Sequence, residues 1–179
     1  MEYRYLGNSG LSVSILAFGN GLNSNTEADY TMTRDVIKKC YDAGVNFYDT
    51  AEAYGCGTAE SLMGKAFKEL NLPREELVIS TKILKSGSGV NDMFLSRKHI
   101  IEGTKNSLKR LQVDYVDVLF CHRPDFDTQL EETCKAMNWV IEAGYAYYWG
   151  TSEWPADRIS KAIEICEREN LHKPIVEQC

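Results

Sequence analysis

Four polar side chains in this sequence are of the types that move protons: Asp49, Tyr54, Lys82 and His122. Asp49, Lys82 and His122 each end or follow a short apolar run, and Tyr54 lies in the segment after Asp49. Taken singly, each also has a purely structural interpretation. Asp49 is then a helix cap and Tyr54 a loop aromatic. Lys82 is then a solvated strand end, and His122 a hydrogen-bonded neighbour of the residues that follow it. Together they predict one site, because residues at the C-terminal ends of parallel strands share one rim of the fold.

The chemistry that this set predicts is acid catalysis at a carbonyl group that accepts a hydride. The carbonyl oxygen needs a proton donor, and free tyrosine, with a pKa of about 10, is a poor acid near neutral pH. A lysine ammonium beside the phenol favours the phenolate and lowers that pKa. We therefore expect Tyr54 to donate the proton and Lys82, held by Asp49, to lower its pKa. His122 is expected to hydrogen-bond the carbonyl oxygen and polarise it as negative charge develops.

The elements that must position these residues are visible as an alternation of short apolar runs with longer amphipathic segments. This alternation predicts βα units, and the nearly all-apolar runs are typical of parallel strands that are buried on both faces. The predicted strands cover residues 15–18, 46–48, 77–81, 115–121, 146–149 and 174–176.

Helices are predicted where apolar residues recur at turn spacing, within 36–41, 62–70, 100–111, 130–141 and 159–166. Ser96 is a predicted N-cap of the third helix, and Gly144 a predicted terminator of the fourth. Ahead of the first unit, residues 3–6 and 11–14 flank a short glycine-containing turn. That pattern predicts a β-hairpin.

Periodicity alone leaves an open doubly wound sheet and a barrel as alternatives, since both are built from βα units. A (β/α)₈ barrel takes about 250 residues, so a chain of 179 residues holds about five units and a sixth strand. We expect an α/β fold, an incomplete (β/α)₈ TIM barrel with about six of eight strands and an N-terminal β-hairpin. Residues 1–179 would form one partial barrel domain. Its two open strand edges predict either a protein partner that covers them or a rearrangement of the chain.

Composition excludes several other classes of protein. A net charge of −6 argues against a nucleic-acid partner, which needs clustered Lys and Arg. No apolar run approaches the ~18 residues of a membrane span, and the N-terminus does not resemble a signal peptide, so we expect a cytoplasmic protein. The six cysteines contain no CxxC pair. They are interpreted as reduced core residues, and no metal site is predicted.

Several motifs in order resemble the aldo-keto reductases, and within them the β-subunits of voltage-gated potassium channels and their plant relatives. The resemblance covers essentially the whole chain and is therefore more specific than a single motif. The motifs are LGNSGL (6–11), NFYDTAEAY (46–54), STK (80–82), LSRKHIIEG (95–103), HRPD (122–125) and YWGTSEW (148–154).

This resemblance implies a TIM barrel that uses NADP(H) to reduce small aldehydes or ketones, with the four residues introduced above as its catalytic tetrad. It also implies that the chain acts on a small carbonyl substrate and that it assembles with a channel or into a homo-oligomer. The residues that the resemblance places at the cofactor are Asn20, Asp49, Ser152 and Gln178.

Two departures from the family pattern lie at the predicted pocket. Gly21 stands where channel β-subunits carry a tryptophan near the nicotinamide. Lys85 stands in the segment after Lys82 where relatives carry an aromatic that lines the substrate pocket. Flat aromatic surfaces pack against an apolar cofactor ring, so the loss of both is expected to weaken binding.

The family's seventh and eighth strands and its phosphate-binding loops lie beyond the position of Cys179. Three hypotheses follow. The chain is part of a longer reductase or channel β-subunit relative, or it is a half-barrel that serves as a non-catalytic structural or partner-binding element. The third hypothesis is a different βα enzyme that shares the four residues by chance.

Overall fold

A computed structural model describes residues 1–21 and 27–179. The chain begins with an antiparallel hairpin of β1 (Tyr3–Tyr5) and β2 (Ser12–Ser14), as predicted. Gly7 in its turn has a φ of +57°, and a Cβ there would run into the Ile175 carbonyl. Glycine at this turn therefore lets the hairpin approach the segment before the last strand.

Six parallel strands form one curled half-barrel. They pair in the order of the sequence, from the first to the last, so strand order never reverses as it does in a doubly wound sheet. This order confirms the incomplete barrel and removes the alternative. The strands are β3 (Ala17–Gly19), β4 (Phe47–Asp49), β5 (Val78–Ile83), β6 (Val116–Cys121), β7 (Ala146–Ser152) and β8 (Glu177–Gln178).

The helices follow the strands and pack side by side, and every residue of β5 and β6 is buried. Ser96 caps the third helix, its hydroxyl oxygen accepting from the His99 backbone N at 3.2 Å. Gly144, the predicted terminator, lies just after the fourth helix and has a positive φ of 75°. The helices are α1 (Glu27–Asp42), α2 (Thr58–Glu69), α3 (Arg97–Leu111), α4 (Leu130–Glu142) and α5 (Ala156–Glu169). Within the described ranges, no helix is long and apolar enough to cross a membrane.

The predicted bounds of the two outer strands were wrong. Ile15 and Leu16 are 50% and 62% exposed and precede β3, so their apolar character did not mark a buried strand. At the other edge, residues 174–176 approach β7, but regular pairing begins only at Glu177, opposite Thr151. An edge strand is paired on one side only, so apolarity is a poor guide to where its pairing begins.

The cysteines are all free thiols. Cys121, Cys134 and Cys166 are buried, as expected for reduced core residues. Cys56 and Cys179 are exposed, so the interpretation as core residues was wrong for these two.

Candidate active site

Lys82 lies near the end of β5 and is the most enclosed charged group of the candidate site, with 1% of its surface exposed. Its Nζ donates to Asp49 Oδ2 at 2.5 Å and to the Thr50 carbonyl at 2.8 Å. The other oxygen of Asp49 accepts from the Ser80 hydroxyl at 2.6 Å. Burial lowers the pKa of Lys82, and the negative charge of Asp49 opposes that shift. Asp49 therefore holds Lys82, as the sequence predicted.

Tyr54 begins a tight turn, Tyr54–Gly57, between β4 and α2, in which Gly55 and Cys56 have left-handed backbone angles. Its ring packs edge-on against His122, with ring centroids 5.6 Å apart and planes at 81°. On another side a Cβ added at Gly21 would lie 3.2 Å from the Tyr54 ring. Lys82 Nζ is 5.2 Å from the centre of the same ring. The site thus brings Tyr54, Lys82 and His122 together, with Gly21 in close contact.

The pKa of Tyr54 is raised, whereas the sequence predicted that it would be lowered. Burial raises the pKa of Tyr54, the negative charge of Asp49 adds to the rise, and Arg123 opposes it. Lys82 directs hydrogen bonds to Asp49 and to the Thr50 carbonyl, and the carboxylate offsets its charge. The phenol of Tyr54 is therefore held in its protonated form.

His122 follows β6 and is 8% exposed. Its backbone N donates to the Ile83 carbonyl at 3.1 Å, which ties the residue to the end of β5. Burial, together with the positive charges of Lys82 and Arg123, lowers the pKa of His122 to about 4. The imidazole is therefore neutral near pH 7, and its Nδ1 is buried without a hydrogen-bond partner among the residues described.

Ser152 ends β7 and is buried. Arg123, directly after His122, donates to the Ser152 hydroxyl oxygen at 3.2 Å and to the His122 carbonyl at 2.5 Å. The same guanidinium forms an ion pair with Glu153 at 2.9 Å. Arg123 thus links the ends of β6 and β7 at this rim.

The remaining cofactor candidates, Gln178 and Asn20, lie at opposite edges of the sheet. Gln178 pairs with Ser152 across β7 and β8, so these two residues are neighbours. Asn20, just after β3, is buried and donates to the Ala59 carbonyl at 2.7 Å, while its Oδ1 has no partner in the described part of the chain. The structure therefore pairs Ser152 with Gln178 and places Asn20 beside the start of α2.

Comparison with known proteins decides the family. Residues 16–178 match the sequence model of the Aldo/keto reductase family, which is most of the chain. The chain belongs to this family. The resemblance found in the motifs is thereby confirmed.

Among curated relatives, a probable voltage-gated potassium channel subunit beta from Arabidopsis thaliana is 54% identical over 178 residues. A protein of the same description from Oryza sativa subsp. japonica is 51% identical over 178 residues. Each alignment covers 99% of this chain and 54% of the relative. The chain therefore spans about half the length of these relatives.

A thermostable aldo-keto reductase, crystallised with the inhibitor epalrestat, superposes with a TM-score of 0.85 at 29% identity. The match covers 99% of this chain and 61% of the other. The barrel of the family is thus present in this chain over the strands described above.

Sequence reasoning missed two buried carboxylates behind this candidate site, Glu52 and Glu60. Glu52 Oε1 accepts from the Leu84 backbone N at 2.6 Å and lies 2.9 Å from His99 Nε2. Glu60 bridges Thr81 and Arg110 at 2.5 and 2.6 Å. The only sequence signal for these buried carboxylates is an acidic residue next to apolar ones. Acidic residues on the protein surface have the same kind of neighbours, so the signal does not identify burial. The two carboxylates brace the ends of β4 and β5, which carry Asp49 and Lys82.

Proposed function

We propose that this chain supplies the proton-donating site of an NADP(H)-dependent oxidoreductase that reduces small aldehydes or ketones. The observation that carries the proposal is the contact of Tyr54 with His122 beside the Lys82–Asp49 pair at one rim of the half-barrel. Membership of the aldo/keto reductase family supports oxidoreductase chemistry.

Tyr54 is the proposed proton donor. Its raised pKa keeps the phenol protonated until it gives the proton to the carbonyl oxygen, and the Lys82–Asp49 pair lies beside its ring, with Lys82 Nζ 5.2 Å from the ring centre. His122 is neutral near pH 7, because burial lowers its pKa to about 4. A neutral imidazole can donate a hydrogen bond to the carbonyl oxygen without giving up its own proton.

NADP(H), when bound, supplies the hydride. The carboxamide of a nicotinamide needs both a donor and an acceptor, and the neighbouring side chains of Ser152 and Gln178 offer both. The buried Oδ1 of Asn20, which has no hydrogen-bond partner within residues 1–21 and 27–179, offers a further acceptor. These residues fit the nicotinamide end of the cofactor, and Asp49 would act there by holding Lys82.

Replacing Tyr54 with Phe tests the assigned role. The change removes the hydroxyl that donates the proton and keeps the ring that packs on His122. We expect Tyr54→Phe to abolish aldehyde-dependent oxidation of NADPH while cofactor affinity, followed by NADPH fluorescence, changes little. An unchanged rate of reduction would refute Tyr54 as the donor.

We also propose that a second protein surface covers the open edges of the half-barrel. In the described sheet β3 and β8 each pair on one side only, and Ile15 and Leu16 are exposed beside β3. A homo-oligomer and a channel complex are the two candidates, the second supported by the relatives described as channel subunits. Light scattering should give a mass above 20.3 kDa for a homo-oligomer, reduced by Leu16→Glu. A monomer would exclude the first candidate.

A further inference from the structure

Arg123 follows His122 directly, and its guanidinium contacts groups at the ends of two neighbouring strands. Its Nη1 donates to the His122 carbonyl at 2.5 Å and to the Ser152 hydroxyl oxygen at 3.2 Å. Its Nη2 forms the ion pair with Glu153 at 2.9 Å, in which the arginine side chain is 40% exposed. Ion pairs as exposed as this one add little to stability. These contacts are therefore better explained by the groups that they position.

The contact with Ser152 fixes the direction of one hydrogen bond. A hydroxyl can donate or accept, but a guanidinium can only donate, so the Ser152 oxygen accepts from Arg123. Ser152 is 3% exposed, and within residues 1–21 and 27–179 no group accepts from its hydroxyl. The hydroxyl hydrogen of Ser152 is therefore left to donate to a bound group.

Ser152 is also held from the side of β8. It pairs in register with Gln178, and the backbone N of the next residue, Glu153, donates to the Gln178 carbonyl at 3.0 Å. Glu153 has a positive φ of 51°, a conformation that a residue other than glycine keeps only where its surroundings hold it. This turn carries the Glu153 carboxylate onto the same guanidinium that contacts Ser152.

The charge of Arg123 also acts on the proton-donating groups. Burial is the main cause of the lowered pKa of His122, about 4, and the charges of Lys82 and Arg123 add to it. Asp49 opposes this shift. Arg123 likewise opposes the rise in the pKa of Tyr54. The pKa of His122 therefore measures whether the guanidinium stays at this rim, and it does so without a cofactor.

We propose that Arg123 is a positioning residue of the cofactor site, which makes the Ser152 hydroxyl a hydrogen-bond donor to the carboxamide oxygen of a nicotinamide. Glu153 keeps the guanidinium in place. Gln178, the strand neighbour of Ser152, supplies the acceptor for the carboxamide nitrogen. The inference rests on the proposed reductase function, because the carboxamide belongs to the cofactor of that reaction.

Calorimetric titration of the full chain with two ligands tests this role. One ligand is NADP⁺, and the other is its adenosine bisphosphate fragment, which lacks the nicotinamide. Arg123→Met should weaken NADP⁺ binding by about three- to tenfold and leave the binding of the fragment unchanged. Arg123→Lys should not restore NADP⁺ binding, because an ammonium lacks the planar fork of donors. The matched control Arg168→Met, at a half-exposed pair with Glu169 on α5, should change neither.

Further variants isolate the hydrogen bond of Ser152. Arg123→Met should add no loss to that of Ser152→Ala, because both act through one hydrogen bond. The loss caused by Ser152→Ala should persist with the acetylpyridine analogue of NADP⁺, which keeps the carbonyl oxygen but has no amide nitrogen. Glu153→Gln, which removes only the counter-charge, should cause a smaller loss than Arg123→Met. In NMR titrations of the cofactor-free chain, Arg123→Met should raise the pKa of His122 from about 4.

The outcomes separate this inference from the reductase proposal. If Arg123→Met weakens both ligands equally, adds its loss to that of Ser152→Ala, or leaves the pKa of His122 unchanged, the positioning role is wrong and the reductase proposal stands. If the expected losses appear but the chain reduces no aldehyde, the positioning role stands and the reductase proposal fails. A chain that does not bind NADP⁺ overturns both.

Discussion

The substitution Asp49→Asn should lower the free energy of unfolding, because it leaves the buried ammonium of Lys82 without a counter-charge. Lys82 is 1% exposed, and its Nζ has two acceptors, Asp49 Oδ2 at 2.5 Å and the Thr50 carbonyl at 2.8 Å. Asp49→Asn keeps the side-chain shape and one acceptor but leaves the ammonium without a counter-charge. Breaking a buried pair from one side costs about 3–5 kcal/mol. Because the Asp49 side chain is 15% exposed, we expect the lower end, about 3 kcal/mol of the free energy of unfolding.

The loss of stability caused by Asp49→Asn should also depend on pH. Burial lowers the pKa of Lys82 in the folded chain, and Asp49 opposes that shift, so its removal lowers the folded pKa further. The unfolded chain then keeps the Lys82 proton over a wider range below its usual pKa of about 10.4. Stability rises with pH wherever the unfolded state binds more protons than the folded state. The difference in unfolding free energy between the variant and the unchanged chain should therefore become smaller as the pH approaches about 10.

Urea unfolding followed by circular dichroism, at neutral and at alkaline pH, measures both effects. The exposed pair Lys38–Asp42 provides a matched control, since it has the same charges at 2.7 Å with both side chains more than half exposed. Asp42→Asn should cost well under 1 kcal/mol. Adding Lys82→Met to Asp49→Asn should recover most of the loss, because no unpaired charge remains buried. A loss no larger than that of Asp42→Asn, or a double variant as unstable as the single one, would refute this reasoning.

Three other substitutions probe the same site. Gly21→Ala places a Cβ 3.2 Å from the Tyr54 ring, so the ring should shift. We expect this shift to lower kcat for aldehyde reduction by up to about tenfold. An unchanged kcat would show that the contact with Gly21 does not position Tyr54. His122 has a pKa lowered to about 4, so the unfolded chain binds its proton first, and stability should fall as the pH drops from about 6.5 to 4. His122→Gln should flatten that slope in urea titrations, and an equal slope would contradict the assignment. Glu52→Ala removes a fully buried acceptor and should cost about 3 kcal/mol in urea unfolding, against a near-zero effect of Glu142→Ala at an exposed pair; equal effects would show that the buried carboxylate does not brace the site.

The succession of strands and helices was predictable because it depends on local pattern. Fully buried strands such as β5 and β6 require apolar runs, and helices require apolar residues at turn spacing. The cap at Ser96 and the helix end before Gly144 depend on a few adjacent residues and were also predicted correctly. The edge strands failed, since β3 and β8 are paired on one side only and their exposure is set by the sheet as a whole.

The sequence by itself determined the family, the half-barrel and the meeting of Asp49, Lys82, Tyr54 and His122 at one rim, because parallel βα units bring their C-terminal strand ends together. Tertiary structure alone decided how these groups act on one another. The pKa of Tyr54 is raised instead of lowered, because burial and the charge of Asp49 act on the phenol while that same carboxylate offsets Lys82. Desolvation and distances between side chains control such shifts, and both arise from contacts between segments far apart in the chain.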